Sequence, residues 1–178
     1  MTIRRYASIL LALSAFSSAP AHCIDGMSLE LGNGDAVNMA RVGVQWDWKK
    51  RWFQGADWHL GGYWDAALGY WHRGGARPGE HDELFDIGLT PVFRVQPNGL
   101  AGPYFEAGIG VHLLSHSSIG DRRMSTAFQF GDHLGVGYRF GARGRYDLGY
   151  RFQHVSNASI KRPNPGINFH QIRLQYNF

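Results

Sequence analysis

The run Arg145-Tyr146-Asp147-Leu148-Gly149-Tyr150-Arg151-Phe152-Gln153-His154-Val155-Ser156-Asn157 alternates with period two. Tyr146, Leu148, Tyr150, Phe152, His154 and Ser156 share one parity; Arg145, Asp147, Gly149, Arg151, Gln153 and Val155 share the other. Successive side chains of a β-strand leave opposite faces, so this segment predicts a strand with one greasy and one polar side. His154 and Ser156 continue the greasy side and leave it together. Those two residue types, on one face, are those of a nucleophile and its base.

The same pattern recurs. Ile172, Leu174, Tyr176 and Phe178 oppose Gln171, Arg173, Gln175 and Asn177; Ala40, Val42, Val44, Trp46 and Trp48 oppose Met39, Arg41, Gly43, Gln45 and Asp47. Phe128, Phe130, Leu134, Val136, Tyr138 and Phe140 oppose Gln129, Gly131, His133, Gly135, Gly137 and Arg139. In a soluble sandwich or barrel the greasy face is a core; in a membrane barrel the polar face points inward instead. Eight strand candidates emerge, roughly at 27–32, 38–48, 57–71, 83–96, 102–114, 127–140, 145–156 and 169–178. The connections at Lys49 to Gly55, Pro97 to Ala101 and Gly141 to Gly144 read as mostly tight. Those at Arg73 to Asp82, Ser115 to Thr126 and Asn157 to Asn168 are longer. Short turns at one end, longer loops at the other and an even strand count point to an all-β, eight-stranded antiparallel transmembrane β-barrel, both termini on the periplasmic side. Trp46, Trp48, Trp52, Trp58, Trp64 and Trp71 fall near strand ends, as an interfacial aromatic girdle requires. Inward-parity glycines suit a narrow barrel filled by its own side chains. Phe178, closing an alternating aromatic strand, has the form of a carboxy-terminal insertion signal.

Residues 1–21 read as a cleaved secretory signal: Arg4 and Arg5, the apolar stretch Ile9 to Phe16, then Ala19-Pro20-Ala21. The barrel domain is then 22–178, and its assembly calls on the barrel-assembly machinery of a bacterial outer membrane. Without the two signal arginines, 16 Lys+Arg stand against 14 Asp+Glu, a net charge of about +2. That is too slight to suggest nucleic acid. Cys23 is the single cysteine, so no internal disulfide staples the fold.

With the amino terminus in the periplasm, the seventh strand runs outward and ends at the outer leaflet. His154 and Ser156 then face lipid, and a nucleophile placed there meets an acyl ester of a membrane lipid. Pairing across the preceding hairpin sets Phe130 or Asp132 opposite His154. Asp132 is the one carboxylate on that strand's outward stripe, where an unpartnered charge is costly.

The longer run His154-Val155-Ser156-Asn157-Ala158-Ser159-Ile160-Lys161-Arg162-Pro163-Asn164-Pro165-Gly166-Ile167 resembles the active-site segment of the lipid A 3-O-deacylases, the PagL-like family. Weaker similarity extends through Gln45-Trp46-Asp47-Trp48, Gly62-Tyr63-Trp64-Asp65, Pro91-Val92-Phe93, Phe105-Glu106-Ala107-Gly108-Ile109-Gly110-Val111 and Phe130-Gly131-Asp132. The resemblance implies an outer-membrane serine hydrolase that removes the acyl chain at position 3 of lipid A, with no cofactor and no metal. Its partner is lipopolysaccharide in the outer leaflet, and a homodimer stays open. It implies Ser156 as nucleophile, His154 as general base and Asn164 as an oxyanion-hole donor. Phe130, Asn157 and Asp132 match recurrent family positions. The family pattern carries a glutamate directly after the Gly-Ile pair, where this chain has Asn168. An amide still accepts a hydrogen bond from the imidazole and fixes its tautomer, without stabilising the imidazolium by charge. Asn168 is expected to orient the ring, with Asp132 as the alternative acid.

The remaining charged residues have structural readings. His59, His72, His81, His112, His116, His133 and His170 are expected in loops or lumen without metal-ligand context, and Asp82, Glu83 and Asp86 as solvated. Glu106 and Asp65 suit lumenal ion pairs with Arg139, Arg151 or Arg173. Arg122, Arg123, Lys161 and Arg162 lie on expected outer loops; Lys161 and Arg162, beside the site, suit the phosphates of lipid A. Two other readings compete: a non-catalytic structural or adhesion barrel, and an outer-membrane phospholipase.

Overall fold

The computed structural model describes residues 24–75 and 77–178. The secretory-signal reading of 1–21 falls outside these. Eight long strands form the barrel: β1 (Gly26–Gly34), β2 (Val37–Asp47), β3 (Trp58–His72), β4 (Glu83–Pro97), β5 (Gly102–Leu114), β8 (Phe128–Phe140), β9 (Tyr146–Ser156) and β10 (Ile167–Asn177). A small ribbon, β6 (Ser118–Ile119) with β7 (Arg122–Arg123), rises from the loop between β5 and β8. Each long strand pairs antiparallel with its neighbours, and β1 pairs with β10 to close the sheet. The eight-stranded expectation holds.

Closure leaves no free edge, so every strand meets two media through its two parities. The outer wall is apolar: Ile87 and Ile109 are 63% and 68% exposed, while inward-facing Glu30, Asp65 and Arg173 are 0% exposed. That inversion of a soluble core is what a lipid solvent selects. Aromatic rings gather toward the end carrying the termini, in the cluster Trp48, Trp52, Trp64 and Phe93 and in the chain Phe140, Tyr146, Tyr176 and Phe178.

The lumen is filled by ion pairs. Arg151 Nε donates to Glu106 at 2.7 Å, and its Nη1 donates to Glu30 and Asp65, each at 3.2 Å. Its Nη2 donates to the Tyr63 hydroxyl at 2.6 Å. Arg94 pairs with Glu106 and Asp147, Arg173 with Glu30, and Arg41 with Asp65. Glu106 and Asp65 thus share Arg151, whereas Arg139 bonds neutral oxygens of Gln96 and Gly144. Buried charges are tolerated only when paired in this way. Gly135 makes room for the hub: a Cβ there would lie 3.0 Å from Glu106 and 3.1 Å from Arg151.

At the loop end the lumen turns apolar. Val37, Met39, Trp71, Leu84, Leu114, Ile119, Met124, Val155, Ile167 and Phe169 form a buried cap over the ionic lattice. Trp71 therefore does not belong to the aromatic girdle; it faces inward with its ring 4.8 Å from Phe169. Asp86 is not solvated either, but buried and bonded to His112 Nδ1 at 2.9 Å. His170 lies neither in a loop nor in the lumen, since its even parity puts it on the outer wall beside Tyr150, at 2.6 Å from the hydroxyl.

The alternation of connection lengths is looser than the sequence suggests. The stretch 48–57 at the terminal end spans ten residues, and the first connection at the loop end is the two-residue turn Asp35–Ala36. Both turn residues have positive φ, 54° and 64°, as two-residue hairpin turns of the right twist require.

Replacing Arg151 with Met leaves three buried carboxylates short of a cation. Unfolding in urea from detergent micelles, followed by heat-modifiable gel mobility, is expected to show a loss of about 3–5 kcal/mol. An unchanged midpoint would mean that the lattice does not hold the barrel.

Candidate functional site

The site lies on the lipid-facing wall at the loop end, where β8, β9 and β10 run side by side. Register aligns its parts: His154 on β9 stands between Asp132 on β8 and Asn168 on β10, and Phe130 faces Ser156 one rung further out. Of the two residues proposed opposite His154, the pairing selects Asp132. Ser156 and His154 are half-buried, two residues apart and about 7 Å apart along the strand.

His154 Nδ1 lies 2.7 Å from Asn168 Oδ1. With Nδ1–H donating to that amide oxygen, the proton sits on Nδ1 and the Nε2 lone pair is free to accept. Asp132 makes no hydrogen bond to the ring among the described residues, although it is the strand neighbour. No hydrogen bond joins Ser156 Oγ to the ring either, so the pair is brought to one face without being locked together. Gly166 (φ 64°) lies close to the Cε1–Nε2 edge of the imidazole; a Cβ there would sit 2.5 Å from Cε1 and 3.1 Å from Nε2.

The connection 157–166 is built by its own side chains. The Asn157 backbone N–H donates to Asn164 Oδ1 at 3.0 Å. That bond fixes the Asn164 amide with its oxygen engaged, and its Nδ2 has no hydrogen-bond partner among the described residues. Asn157 itself does not share the greasy face. Its odd parity buries it completely, and its Nδ2 donates to the Met124 and Lys161 carbonyls, each at 2.8 Å. It stitches two loops rather than facing lipid. Lys161 and Arg162 are exposed on the same loop, with no carboxylate within ion-pair distance among the described residues.

Two residues were missed. Arg122, in the loop after β5, donates through Nη1 to the Gly166 carbonyl at 2.9 Å and through Nη2 to Asp35 Oδ1 at 2.8 Å. Asp35 Oδ2 accepts the Asn168 N–H at 2.8 Å. Asn33-Gly34-Asp35 carries a turn signal in the sequence, but nothing local says which distant backbone the carboxylate will meet. Arg122 was legible only as a loop cation.

Fold and site define a closed β-barrel with a lipid-facing wall that carries a histidine and a serine side by side at its loop end. The sequence model of the lipid A 3-O-deacylase (PagL) family matches residues 38–177, and the chain belongs to that family. Lipid A deacylase PagL of Pseudomonas aeruginosa is 36% identical over 166 residues, which is 93% of this chain and 92% of that protein. Lipid A deacylase PagL of Bordetella bronchiseptica is 33% identical over 177 residues, 96% and 93% of the two chains. The crystal structure of the outer membrane enzyme PagL matches with a TM-score of 0.77 and 32% identity, covering 86% of this chain and 99% of that one.

Replacing Gly166 with Ala is expected to push the imidazole off Asn168 and to strain a backbone at positive φ. The ¹⁵N shifts of the His154 ring should then lose the signature of a fixed Nδ1–H tautomer while the barrel stays folded. An unchanged tautomer would show that the loop yields instead.

Proposed function

We propose that this protein is an outer-membrane lipid A 3-O-deacylase in which Ser156 is the nucleophile and His154 its general base. The observation that carries the reading is the His154–Asn168 hydrogen bond on the lipid-facing wall, one rung from a serine on the same face, in a chain of this family. The barrel offers this group to nothing but membrane lipid, and the loop end is then the outer-leaflet end.

The steps follow from the positions. Ser156 Oγ attacks the carbonyl carbon of the ester at position 3 as its proton passes to Nε2 of His154. The tetrahedral oxyanion accepts a hydrogen bond from Asn164 Nδ2, held ready because its Oδ1 is already taken by the Asn157 N–H. Collapse breaks the ester bond, and His154 gives its proton to the departing sugar hydroxyl. Water, deprotonated by His154 in turn, hydrolyses the acyl-serine. Asn168 holds the correct tautomer throughout but leaves the imidazolium without a neutralising charge. Asp132 is the nearest carboxylate in register and supplies a long-range part of that field. Phe130 borders the serine as a wall for the acyl chain, and Lys161 and Arg162 meet lipid A phosphates. A secretory signal at 1–21 and the barrel-assembly machinery complete the route to the membrane.

Mass spectrometry of lipid A from cells making the protein should show loss of one 3-hydroxyacyl group, absent with Ser156→Ala or His154→Asn. Activity on purified lipid A should persist in chelator. An unaltered spectrum from a folded, inserted barrel would favour a structural barrel, and release of phospholipid acyl chains in its place a phospholipase. Asn168→Ala is expected to lower kcat by about 10²-fold through loss of ring orientation. Asn168→Glu should raise kcat above the wild type; a fall would mean that the amide is the better partner here.

A further inference from the structure

We propose that Asp35 and Arg122 are positioning residues that hold Asn168 against His154 and so set the rate of the chemical step. The proposal rests on the reading of His154 as general base and adds two residues from other parts of the chain.

β10 begins without its second neighbour. Its pairing with β9 extends to Ile167, opposite Val155, but its pairing with β1 stops at His170, opposite Asn33. Gly166 and Asn168 therefore turn a backbone carbonyl and an N–H toward the β1 edge, beyond the last rung of that ladder. An ion pair takes the place of the missing strand. Asp35 accepts the Asn168 N–H at 2.8 Å, Arg122 donates to the Gly166 carbonyl at 2.9 Å, and the two side chains join each other at 2.8 Å. Gly34 lets the hairpin approach, since a side chain there would overlap the Asn168 carbonyl.

Both groups held by the pair adjoin the imidazole. Asn168 supplies the acceptor for Nδ1, and Gly166 packs on Cε1 and Nε2. The Asp35 and Arg122 side chains are about a quarter exposed, so the pair is less screened than a free surface bridge. Charge-assisted hydrogen bonds to two backbone groups hold position more firmly than neutral ones. Two further contacts, Ser125 Oγ to the Pro163 carbonyl and Asn157 Nδ2 to the Met124 carbonyl, tie the same loops together further from the ring. The Arg122–Asp35 pair is the tie that ends on the histidine's partner.

The test uses the full-length barrel in detergent with purified lipid A as substrate, under single-turnover conditions with enzyme in excess so that slow variants stay measurable. Asp35→Ala and Arg122→Gln are each expected to lower the rate of acyl release about tenfold or more, with half-saturation unchanged and wild-type heat-modifiable mobility. In an Asn168→Ala background Asp35→Ala should cost nothing further, because Asp35 acts through Asn168. Asp121→Asn, which breaks the Arg73–Asp121 pair in the same loop, should leave the rate unchanged. An unchanged rate in Asp35→Ala, a loss confined to half-saturation, or an Asp35→Ala loss that multiplies with that of Asn168→Ala would overturn the proposal. Ser156→Ala separates the two levels. Residual wild-type activity there defeats the catalytic reading itself, whereas an inactive Ser156→Ala beside an unaffected Asp35→Ala defeats only the positioning role.

Discussion

Arg151 and His154 are three residues apart on β9 and face opposite media. The arginine reaches inward to Glu30, Asp65 and Glu106, carboxylates from three other strands, while the histidine faces the lipid wall. Period-two alternation makes these two facts one. A slip of β9 by a single residue would expose the arginine to lipid and bury the histidine, and each exchange is costly. The ionic hub therefore fixes which residues the strand shows to the membrane. Everything at the site depends on that register, from the Asp132–His154–Asn168 rung to the placing of Ser156 one step beyond it.

On the proposed reading, a hydrolytic site on the outer wall of the barrel takes its substrate sideways, from within the leaflet. The apolar cap around Trp71 and Phe169 closes the lumen beneath, so the interior serves as scaffold and not as a route. The loops beside the site are tied by hydrogen bonds from buried or half-buried side chains, above all Asn157, which fixes the Asn164 amide through its own backbone N–H. A neutral Asn168 beside the imidazole lessens the burden of placing a charge near lipid and weakens stabilisation of the imidazolium in return. Asp132, in register on the next strand, is the acidic residue that the fold does place on this wall.

Much of this was legible in the sequence, because alternation is local. The eight strands, the inward charges and the shared face of His154 and Ser156 follow from counting in twos. Glu106 and Asp65 were readable as lumenal, though not their sharing of one arginine. What failed did so where position along the strand was weighed above parity. Trp71 has inward parity but was read into the girdle for lying near a strand end. Asp86 was read as solvated, although its parity buries it against His112. The Asp35–Arg122 pair was beyond reach, since it joins positions 87 residues apart across two loops whose paths no periodicity encodes.

The most direct measurement of the central claim is covalent labelling by a lipid-like fluorophosphonate, followed by intact mass and peptide mapping of the folded barrel. The account expects one adduct per chain, on the peptide carrying Ser156, with labelling slowed strongly when His154 is replaced by Asn. Absence of an adduct on the folded protein, or an adduct on another serine, would contradict it.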